Sequence, residues 1–284
     1  MNIVTVTWYD DLRQIILQAE SMERFLTTPV VHYVVINNYH PNMKRWDQIL
    51  TPYYNRHTLK LIKPPADVLV KGHSYLNQQT LKFWIGTIIN DDYMLLDSKN
   101  FWIKETSMHE YQNFKHSAGT WNCDVDNYCT GYVSYAPFVE LFCQKYNLKK
   151  LQKIPGISTP YIFSKKIIDK AGGFDTVTMW FLDLYKTKNM TDISEFLFYG
   201  HLVPPHEIDE IDQLCHVNYT IWSNEEHPFE LLTNYFFENP HIKSISLHWR
   251  WLLKHKSDID TINNWLSSIG LTTKLKTSHS NRWI

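Results

Sequence analysis

Carboxylate, ammonium and amide groups with the spacing of an anion or metal site occur between positions 79 and 100. Asp97 closes the predicted strand 93–97, and a carboxylate at the end of a buried strand lies where α/β sheets bind their ligands. Divalent cations prefer such oxygens and bridge them to phosphates. Gln79 and Lys82 share one face of a predicted helix, so they could hold a diphosphate beside Asp97. An aspartate in this position is also often only a cap for the next turn, and the pattern alone leaves both interpretations open.

The elements that must position these residues follow from hydrophobic periodicity. Residues 3–7 and 31–36 are β-branched runs typical of strands, and the apolar residues from Leu12 to Leu26 recur at helical spacing. Strand, helix and strand in succession predict an α/β fold, with a parallel sheet covered by helices. The later predicted elements are strands at 58–62, 93–97, 101–103 and 242–247, helices at 73–89, 134–146, 174–187, 192–200 and 228–237, a helix after Ser164 and a final helix from Ser257 to Leu266, with irregular loops over 105–132.

Four short motifs occur in order along the chain. The first two are Q-Q-x-x-K at Gln78–Lys82 and L-D-S-K-N at Leu96–Asn100, and the later two are S-T-P-Y at 158–161 and S-E-F-L-F-Y-G at 194–200. Together they resemble a family of glycosyltransferase-like proteins from bacterial surface-polysaccharide gene clusters and phages. The resemblance spans residues 3 to about 200.

The resemblance implies a GT-A-like fold, in which a Rossmann-like, mostly parallel sheet flanked by helices binds a sugar nucleotide. It implies one domain over residues 1–284, with a nucleotide-binding half at 1–104, an acceptor-side half at 105–250 and a helical C-terminal tail at 251–284. The implied function is transfer of a sugar from a nucleotide-sugar donor to a glycan or other hydroxyl acceptor in polysaccharide biosynthesis.

The end of the first strand is where GT-A folds receive the nucleotide base and ribose. In this chain Thr7, Tyr9 and Asp10 occupy that place. Tyr9 could stack on a base and Asp10 could accept hydrogen bonds from ribose hydroxyls. The alternative is that Asp10 or Asp11 merely caps the following helix.

The resemblance also implies a divalent metal, Mn²⁺ or Mg²⁺, held by the aspartates of a D-x-D motif. Here Asp97-Ser98-Lys99 puts a lysine at the second aspartate, and Asn100 follows. Either Asp97 and Asn100 hold the metal with help from elsewhere, or Lys99 partly replaces it as a point charge on the phosphate. His248 resembles the late histidine that completes many GT-A metal sites, and a hydrogen-bonded or surface histidine is the alternative.

Glu195 is the candidate catalytic base. It lies in a predicted helix beside Phe196, Phe198 and Tyr199, and loss of water around a carboxylate raises its pKa towards a useful range. The alternative is a first-turn residue that interacts with the helix dipole. The resemblance favours a site residue.

Composition limits the other classes of function. The 284 residues are 44% hydrophobic with a net charge of −1, which argues against disorder and gives no basic surface for nucleic acid. The four cysteines lack C-x-x-C spacing, and no apolar run approaches the ~20 residues of a transmembrane helix. We therefore expect a cytoplasmic protein without a transmembrane segment. Phosphate-loop, G-x-G-x-x-G, H-E-x-x-H and G-x-S-x-G motifs are absent.

Two further functions fit the same fold. Lys99 in place of an aspartate favours a non-catalytic nucleotide- or carbohydrate-binding protein. A nucleotidyltransferase ranks last, because no glycine-rich, basic phosphate-binding segment follows the first strand.

Overall fold

The computed structural model describes residues 1–38, 41–112, 116, 123–124, 135–211, 217–221 and 229–276. The strands are β1 (Asn2–Thr7), β2 (Val31–Ile36), β3 (Thr58–Ile62), β4 (Tyr93–Leu96), β5 (Asn100–Trp102), β6 (Cys123–Asp124), β7 (Lys153–Ile154), β8 (Tyr161–Phe163), β9 (Asn218–Ile221) and β10 (Ser244–Leu247). The helices are α1 (Leu12–Phe25), α2 (Met43–Leu50), α3 (Ser74–Ile89), α4 (Met108–Gln112), α5 (Ala136–Lys145), α6 (Lys165–Asp169), α7 (Gly173–Lys188), α8 (Glu195–Leu202), α9 (Pro205–Ile211), α10 (Phe229–Glu238), α11 (Trp249–Lys254) and α12 (Ile259–Ser268).

The main sheet has the strand order β3-β2-β1-β4-β8. The first four strands are parallel, with Asn2 opposite both Val31 and Tyr93, and β8 is antiparallel to β4. The predicted α/β fold with a mostly parallel sheet is therefore confirmed. The predicted strand 93–97 ends one residue earlier, because the backbone turns at Asp97.

The order of the strands places a crevice beside β1. The chain runs from β1 outwards through β2 to β3, and α3 then carries it back to β4 on the other side of β1. Where strand order reverses in this way, the following connections leave on opposite faces and open a crevice at the carboxyl ends. Thr7 and Asp97 stand at the two sides of that crevice.

Helices cover both faces of the sheet. Val4, Val6 and Val35 pack into the core cluster that α3 and α7 share. On the opposite face, Val34 and Ile36 pack with residues of α1 and α2. Because successive strand residues point to opposite faces, the inner parallel strands β1 and β2 place apolar residues on both sides, whereas the edge strand β3 exposes Thr58 and Lys60.

Many of the aromatic side chains fill the core beneath the site. Phe83 stacks on Phe163 with ring centroids 5.0 Å apart, and Phe163 stacks on Tyr199 at 4.8 Å. Phe181 and Phe198 meet the same group edge to face. These rings fix α3 and α8 against the sheet, and both helices carry predicted site residues.

A second sheet of three strands, β5-β10-β9, was not predicted. Its antiparallel β5–β10 pairing places Asn100 opposite Ser246. Strands were predicted at 101–103 and 242–247, but β9 was not, and pairing between such short strands far apart in the chain leaves no local periodicity to detect.

Several predicted boundaries need correction. Two short elements lie within the predicted loop 105–132. Met108–Gln112 is helical, and Cys123–Asp124 forms β6. The final helix begins at Ile259, with Asp258 rather than Ser257 at its N-cap. The helix 43–50 was missed, although the Asn42 side chain accepts a hydrogen bond from Arg45 N in its first turn. Within the described residues, no helix combines the length and the apolar composition needed to cross a bilayer.

Candidate functional site

The turn that follows β4 is held by its own side chains and by Gln18. The Asp97 amide donates to Asn100 Oδ1 at 2.7 Å, and the Asn100 amide donates to the Asp97 carbonyl at 3.1 Å. Gln18 Nε2, from the inner face of α1, donates to the carbonyls of Asp97 at 3.0 Å and of Asn100 at 2.9 Å. The turn is thus anchored to the helix that leaves β1.

Gln18 is itself fixed by a buried chain of hydrogen bonds. Thr5 Oγ1 donates to Gln18 Oε1 at 2.8 Å and lies 2.9 Å from His32 Nε2. His32 Nδ1 lies 2.7 Å from the Tyr54 hydroxyl. Because Thr5 gives its proton to Gln18, His32 Nε2 donates to Thr5 Oγ1. In the neutral imidazole, which burial favours, Nδ1 accepts from the Tyr54 hydroxyl. Burial, with a smaller contribution from His57, lowers the pKa of His32 to about 3.

We expect His32 to make the fold acid-sensitive. Its pKa in the folded state lies below its ordinary value, so its contribution to stability is complete above pH 6.5 and falls away as the pH drops towards 3. At pH 5 the loss is about 2 kcal/mol. Urea unfolding at several pH values between 7 and 4 measures the free energy of unfolding. Between those values it should fall less steeply with decreasing pH in His32→Leu than in the wild type. The exposed control His241→Gln should keep the wild-type slope, and equal slopes for all three proteins would contradict this role.

Four charged side chains alternate in sign at the floor of the crevice. Lys82 Nζ lies 2.5 Å from Glu195 Oε1 and 3.4 Å from Asp97 Oδ1. Lys99 Nζ lies 3.1 Å from Asp97 Oδ2. The series Glu195, Lys82, Asp97, Lys99 therefore pairs every carboxylate with an ammonium group, and we call it the charged cluster.

The charged cluster shifts the pKa of each buried member. Burial raises the pKa of Glu195, and the Lys82 charge reduces that rise. For Lys82, burial alone would lower the pKa, but Glu195 and Asp97 outweigh it and raise the pKa above the usual lysine range. Burial would likewise raise the pKa of Asp97, but Lys82 and Lys99 hold it well below its ordinary range. Asp97 is therefore a carboxylate at neutral pH and a weak base.

Local sequence explains how α3 and α8 meet at the charged cluster. Lys82 lies on the buried face of α3, and its ammonium lies 4.9 Å from the centre of the Phe196 ring. Ser194 caps α8 by accepting from Leu197 N, which places Glu195 in the first helical turn. The side-chain amide of Gln79 lies against Glu195, and with its nitrogen towards the carboxylate it donates to Glu195 Oε1 at 3.1 Å. Glu195 can therefore interact with the dipole of α8, as the sequence predicted, while its carboxylate pairs with Lys82.

Asn100 connects the turn to the third motif. Its Oδ1 accepts from Thr159 Oγ1 at 2.7 Å, and its Nδ2 donates to the Thr159 carbonyl at 3.1 Å and to Ser246 Oγ. Residues from all four motifs noted in the sequence thus lie together around the charged cluster and Asn100. Gln79 and Glu195, which come from the first and the last motif, are 116 positions apart in the chain. A buried polar network of this kind is stable only when its members are hydrogen-bonded.

A cavity of about 220 Å³ opens at the carboxyl ends of β1 and β2. Its lining consists of Val6, Thr7, Trp8, Asp11, Asn37, Ser74, Tyr75 and Gln78. Asn37 is 3% exposed, and its Nδ2 donates to the Ser74 carbonyl at 2.8 Å. That bond fixes the amide orientation and leaves Asn37 Oδ1 without a hydrogen-bond partner in the described part of the chain. The cavity therefore lies beside a buried acceptor that the described part of the protein does not use.

Of the three nucleotide-binding residues predicted at the end of β1, one lines this cavity. Thr7 lines it, whereas Tyr9, which is 42% exposed, and Asp10 do not. The single 3-10 turn Tyr9–Asp11 directs Tyr9 outwards and leaves Asp11 half-buried in the cavity lining, so the neighbours of the predicted residues form the lining. Asn37 was missed, although it follows β2 as Asp97 follows β4.

Ser98 joins the cavity to the charged cluster. Its hydroxyl lies 3.0 Å from Asp11 Oδ2 and 3.2 Å from Gln14 Oε1. Burial raises the pKa of Asp11, and hydrogen bonds from Ser98 and the Trp8 amide partly offset that rise. Ser98 thus connects Asp11, which lines the cavity, to the residue next to Lys99.

The donor set at this turn does not fit a divalent metal as it stands. Both oxygens of Asp97 face lysine ammonium groups, and the amide of Asn100 already bonds to Asp97, Thr159 and Ser246. His248 follows β10 and is half-buried, with its backbone amide donating to the Ile221 carbonyl at 3.1 Å. Over the described residues, no three His, Cys, Asp or Glu side chains group as a metal site. The metal set Asp97, Asn100 and His248 stays a prediction.

A larger cavity of about 760 Å³ lies elsewhere, beside Asp92, His116 and Lys166. Asp92 precedes β4 and Asp97 follows it, so this cavity is at the opposite edge of the sheet. None of the predicted site residues lines it. Size alone does not make it the functional site.

Comparison with known proteins gives likeness of structure only. No family model matches the sequence, and no curated protein matches it. The structure is similar to galactosyltransferase LgtC in complex with donor and acceptor sugar analogs, with a TM-score of 0.47 and 9% identity over 87% of each chain. It is also similar to mouse xyloside xylosyltransferase 1 in its apo form, with a TM-score of 0.44 and 11% identity over 87% of this chain and 97% of that one.

A third similar structure is the glycosyltransferase GlyE of Streptococcus pneumoniae TIGR4. Its TM-score is 0.39, with 12% identity over 99% of this chain and 55% of that one. At these scores the likeness concerns the general arrangement of sheet and helices. No activity follows from it alone.

Proposed function

We propose that this protein is a glycosyltransferase that moves a sugar from a nucleotide-sugar donor to a glycan or another hydroxyl acceptor. The observation that carries the proposal is the arrangement at the carboxyl ends of β2, β1 and β4. A cavity at the ends of β1 and β2 is linked to the charged cluster after β4 by the hydrogen bond between Asp11 and Ser98. The base and ribose would occupy the cavity, and the diphosphate would extend past Ser98 to Lys99. The motifs that resemble glycosyltransferase-like proteins supply the residues at this junction.

The reaction makes two demands on the site. The acceptor oxygen forms a bond to the anomeric carbon as the bond from that carbon to the diphosphate oxygen breaks, and the hydroxyl proton passes to the departing diphosphate. Negative charge then accumulates on the diphosphate, where fixed positive charge stabilises it best. Lys99 is the member of the charged cluster that is both cationic and open to solvent, with 21% of its side chain exposed.

Glu195 fits a positioning role better than the predicted role of base. Only 2% of its side chain is exposed, and its carboxylate pairs with Lys82. A general base must reach the acceptor hydroxyl directly or through one water. In this proposal Glu195 holds Lys82, and Lys82 holds Asp97.

The variant Glu195→Gln separates these two roles. A positioning role predicts lower thermal stability and weaker donor binding, with kcat reduced by less than about 10-fold at saturating donor. Loss of a base predicts a fall in kcat of about 10²–10⁴-fold with donor affinity retained. Steady-state kinetics and a thermal melt on the same preparation distinguish them, and we expect the first result.

Thermal-shift and donor-hydrolysis assays test the proposal as a whole. UDP-sugars or GDP-sugars are expected to raise Tm and to be hydrolysed slowly. CMP-sugars, which carry a single phosphate, should raise Tm less. The matched control is Lys166→Ala in the larger cavity, which should respond as the wild type does. If no nucleotide sugar changes Tm, the proposal fails.

Asn37 is expected to contribute to nucleotide affinity. Asn37→Ala removes the acceptor that a base N–H or a ribose hydroxyl would use, and Kd should rise about 10-fold. The control Tyr9→Ala removes a solvent-exposed ring outside the cavity and should leave Kd unchanged. Calorimetric titration with UDP and GDP measures both, and a larger effect at Tyr9 than at Asn37 would refute this placement of the base.

A second function is favoured by one observation. Both carboxylates of the charged cluster are ion-paired, so Asp97 is a weak base and the buried Glu195 carboxylate is held by Lys82. A protein that binds nucleotide sugars without turnover would show this arrangement. Binding with no hydrolysis and no transfer in the wild type would favour this alternative.

A further inference from the structure

We infer that the site binds a nucleoside diphosphate without a divalent cation, with Lys99 contacting the phosphates and Lys82 holding Asp97 in place. The inference rests on the proposed function, because it specifies what neutralises the diphosphate of the donor. It replaces the metal that the resemblance implies with two side chains of this chain.

The first support is the state of the oxygen ligands. A cation at this turn needs Asp97, whose Oδ2 lies 3.1 Å from Lys99 Nζ and whose Oδ1 lies 3.4 Å from Lys82 Nζ. Oδ1 accepts no hydrogen bond in the described part of the chain, so it is the ammonium charge of Lys82 that opposes a cation there. Asn100 Oδ1 accepts two hydrogen bonds, one from the Asp97 amide and one from Thr159. A metal would have to displace these partners, and some of them are buried.

The second support is charge balance. A D-x-D motif carries two negative charges, and one divalent cation neutralises them. In the charged cluster, Asp97 and Glu195 carry two negative charges and Lys82 and Lys99 carry two positive ones. The cluster therefore already has the neutral balance that a D-x-D motif reaches only with its metal.

The third support is repulsion. Mg²⁺ binds carboxylate oxygens at about 2.1 Å, so a cation that binds both oxygens of Asp97 would lie within about 5.5 Å of both lysine nitrogens. Two ammonium groups so near a dication oppose its binding, and they do so most in a partly buried site. Lys82 cannot move away, because its ammonium is also fixed by Glu195.

The exposure of the two lysines separates their roles. The Lys82 side chain is 4% exposed, whereas that of Lys99 is 21% exposed. Lys99 also follows Ser98, whose hydroxyl contacts Asp11 in the cavity lining. An ammonium in this position can bind phosphate as a point charge without the strict geometry that a metal requires.

Calorimetric titration of the full chain with UDP and GDP, in EDTA and in MnCl₂, tests the inference. The wild-type affinity in EDTA is expected to lie within about 2-fold of the affinity in Mn²⁺. Lys99→Ala should weaken binding by about 10-fold or more, as expected for a charged hydrogen bond. The matched control is Lys243→Ala, since Lys243 has 23% exposure and a similar ion pair with Glu110 far from the crevice.

Lys99→Asp provides the sharpest contrast, because it restores a D-x-D sequence. This variant is expected to lose binding in EDTA and to regain it in Mn²⁺, and electron paramagnetic resonance should detect bound Mn²⁺ in the variant but not in the wild type. Wild-type binding that requires Mn²⁺ overturns the inference and leaves the proposed function intact. Failure of UDP and GDP to bind the wild type under both conditions overturns the proposed function, and the inference with it.

Discussion

Lys82→Met is expected to destabilise the fold by about 3–5 kcal/mol, which is the usual cost of removing one partner from a buried ion pair. The substitution preserves most of the side-chain volume, so the loss arises from charge. Without the ammonium group, Glu195 and Asp97 face each other as two partly desolvated carboxylates. Urea unfolding at pH 7, with the free energy extrapolated to water, measures the effect.

The pH dependence of the Lys82→Met deficit identifies its cause. In the variant, Glu195 loses the charge that limits the rise in its pKa, so the pKa moves further up. A carboxyl group with a raised pKa is best tolerated when protonated, so the deficit should shrink as the pH falls from 8 towards 5. The double variant Lys82→Met with Glu195→Leu should recover part of the loss. A deficit below about 1 kcal/mol, within the range of an exposed salt bridge, would show that the pair is not buried in solution.

Asn100→Ala is expected to have the second largest effect, on stability and on ligand binding together. The Asn100 side chain hydrogen-bonds to the Asp97 amide, the Thr159 hydroxyl and Ser246 Oγ, so its removal leaves several buried groups without these hydrogen bonds. We expect a loss of about 2–4 kcal/mol in the free energy of unfolding. Because the turn then loses the acceptor that fixes Asp97, the affinity for nucleoside diphosphates should also fall by about 10-fold or more.

The variant Asn100→Asp distinguishes a structural role from the predicted role of metal ligand. A carboxylate keeps the acceptors but lacks the donors to Thr159 and Ser246, and it adds a negative charge beside Asp97. A structural role therefore predicts weaker binding both in EDTA and in Mn²⁺. A metal ligand predicts unchanged or stronger binding in Mn²⁺, since carboxylates suit that ion. Melting curves for each variant ensure that only folded protein is compared.

The sequence predicted the parts of the site that belong to strongly patterned elements. The strands 31–36 and 58–62 have the predicted bounds, and the helix 73–89 differs by one residue. Gln79, Lys82, Asp97, Lys99 and Glu195 were all selected from motifs and spacing, and the structure brings them into one cluster with its immediate neighbours.

What could not be predicted depends on packing between distant segments. Gln18 and His32 lie in elements with strong apolar patterns, where a polar residue gives no sign of a buried partner. The second sheet needs Ser246 beside Asn100, and no local periodicity encodes that pairing. At the end of β1 a single 3-10 turn determines which side chains face the cavity. A turn that began one residue earlier or later would place a neighbouring side chain there instead, and the sequence does not fix that boundary.

The most direct measurement is a crystal structure of the full chain grown with UDP or GDP in EDTA. We predict the base in the cavity beside Asn37 and Trp8, and a β-phosphate oxygen within about 3 Å of Lys99 Nζ, the distance of a charged hydrogen bond. Density for the nucleotide in the larger cavity near Asp92, or phosphates that leave the Lys99–Asp97 pair untouched, would contradict the placement of the diphosphate at the crevice between β1 and β4.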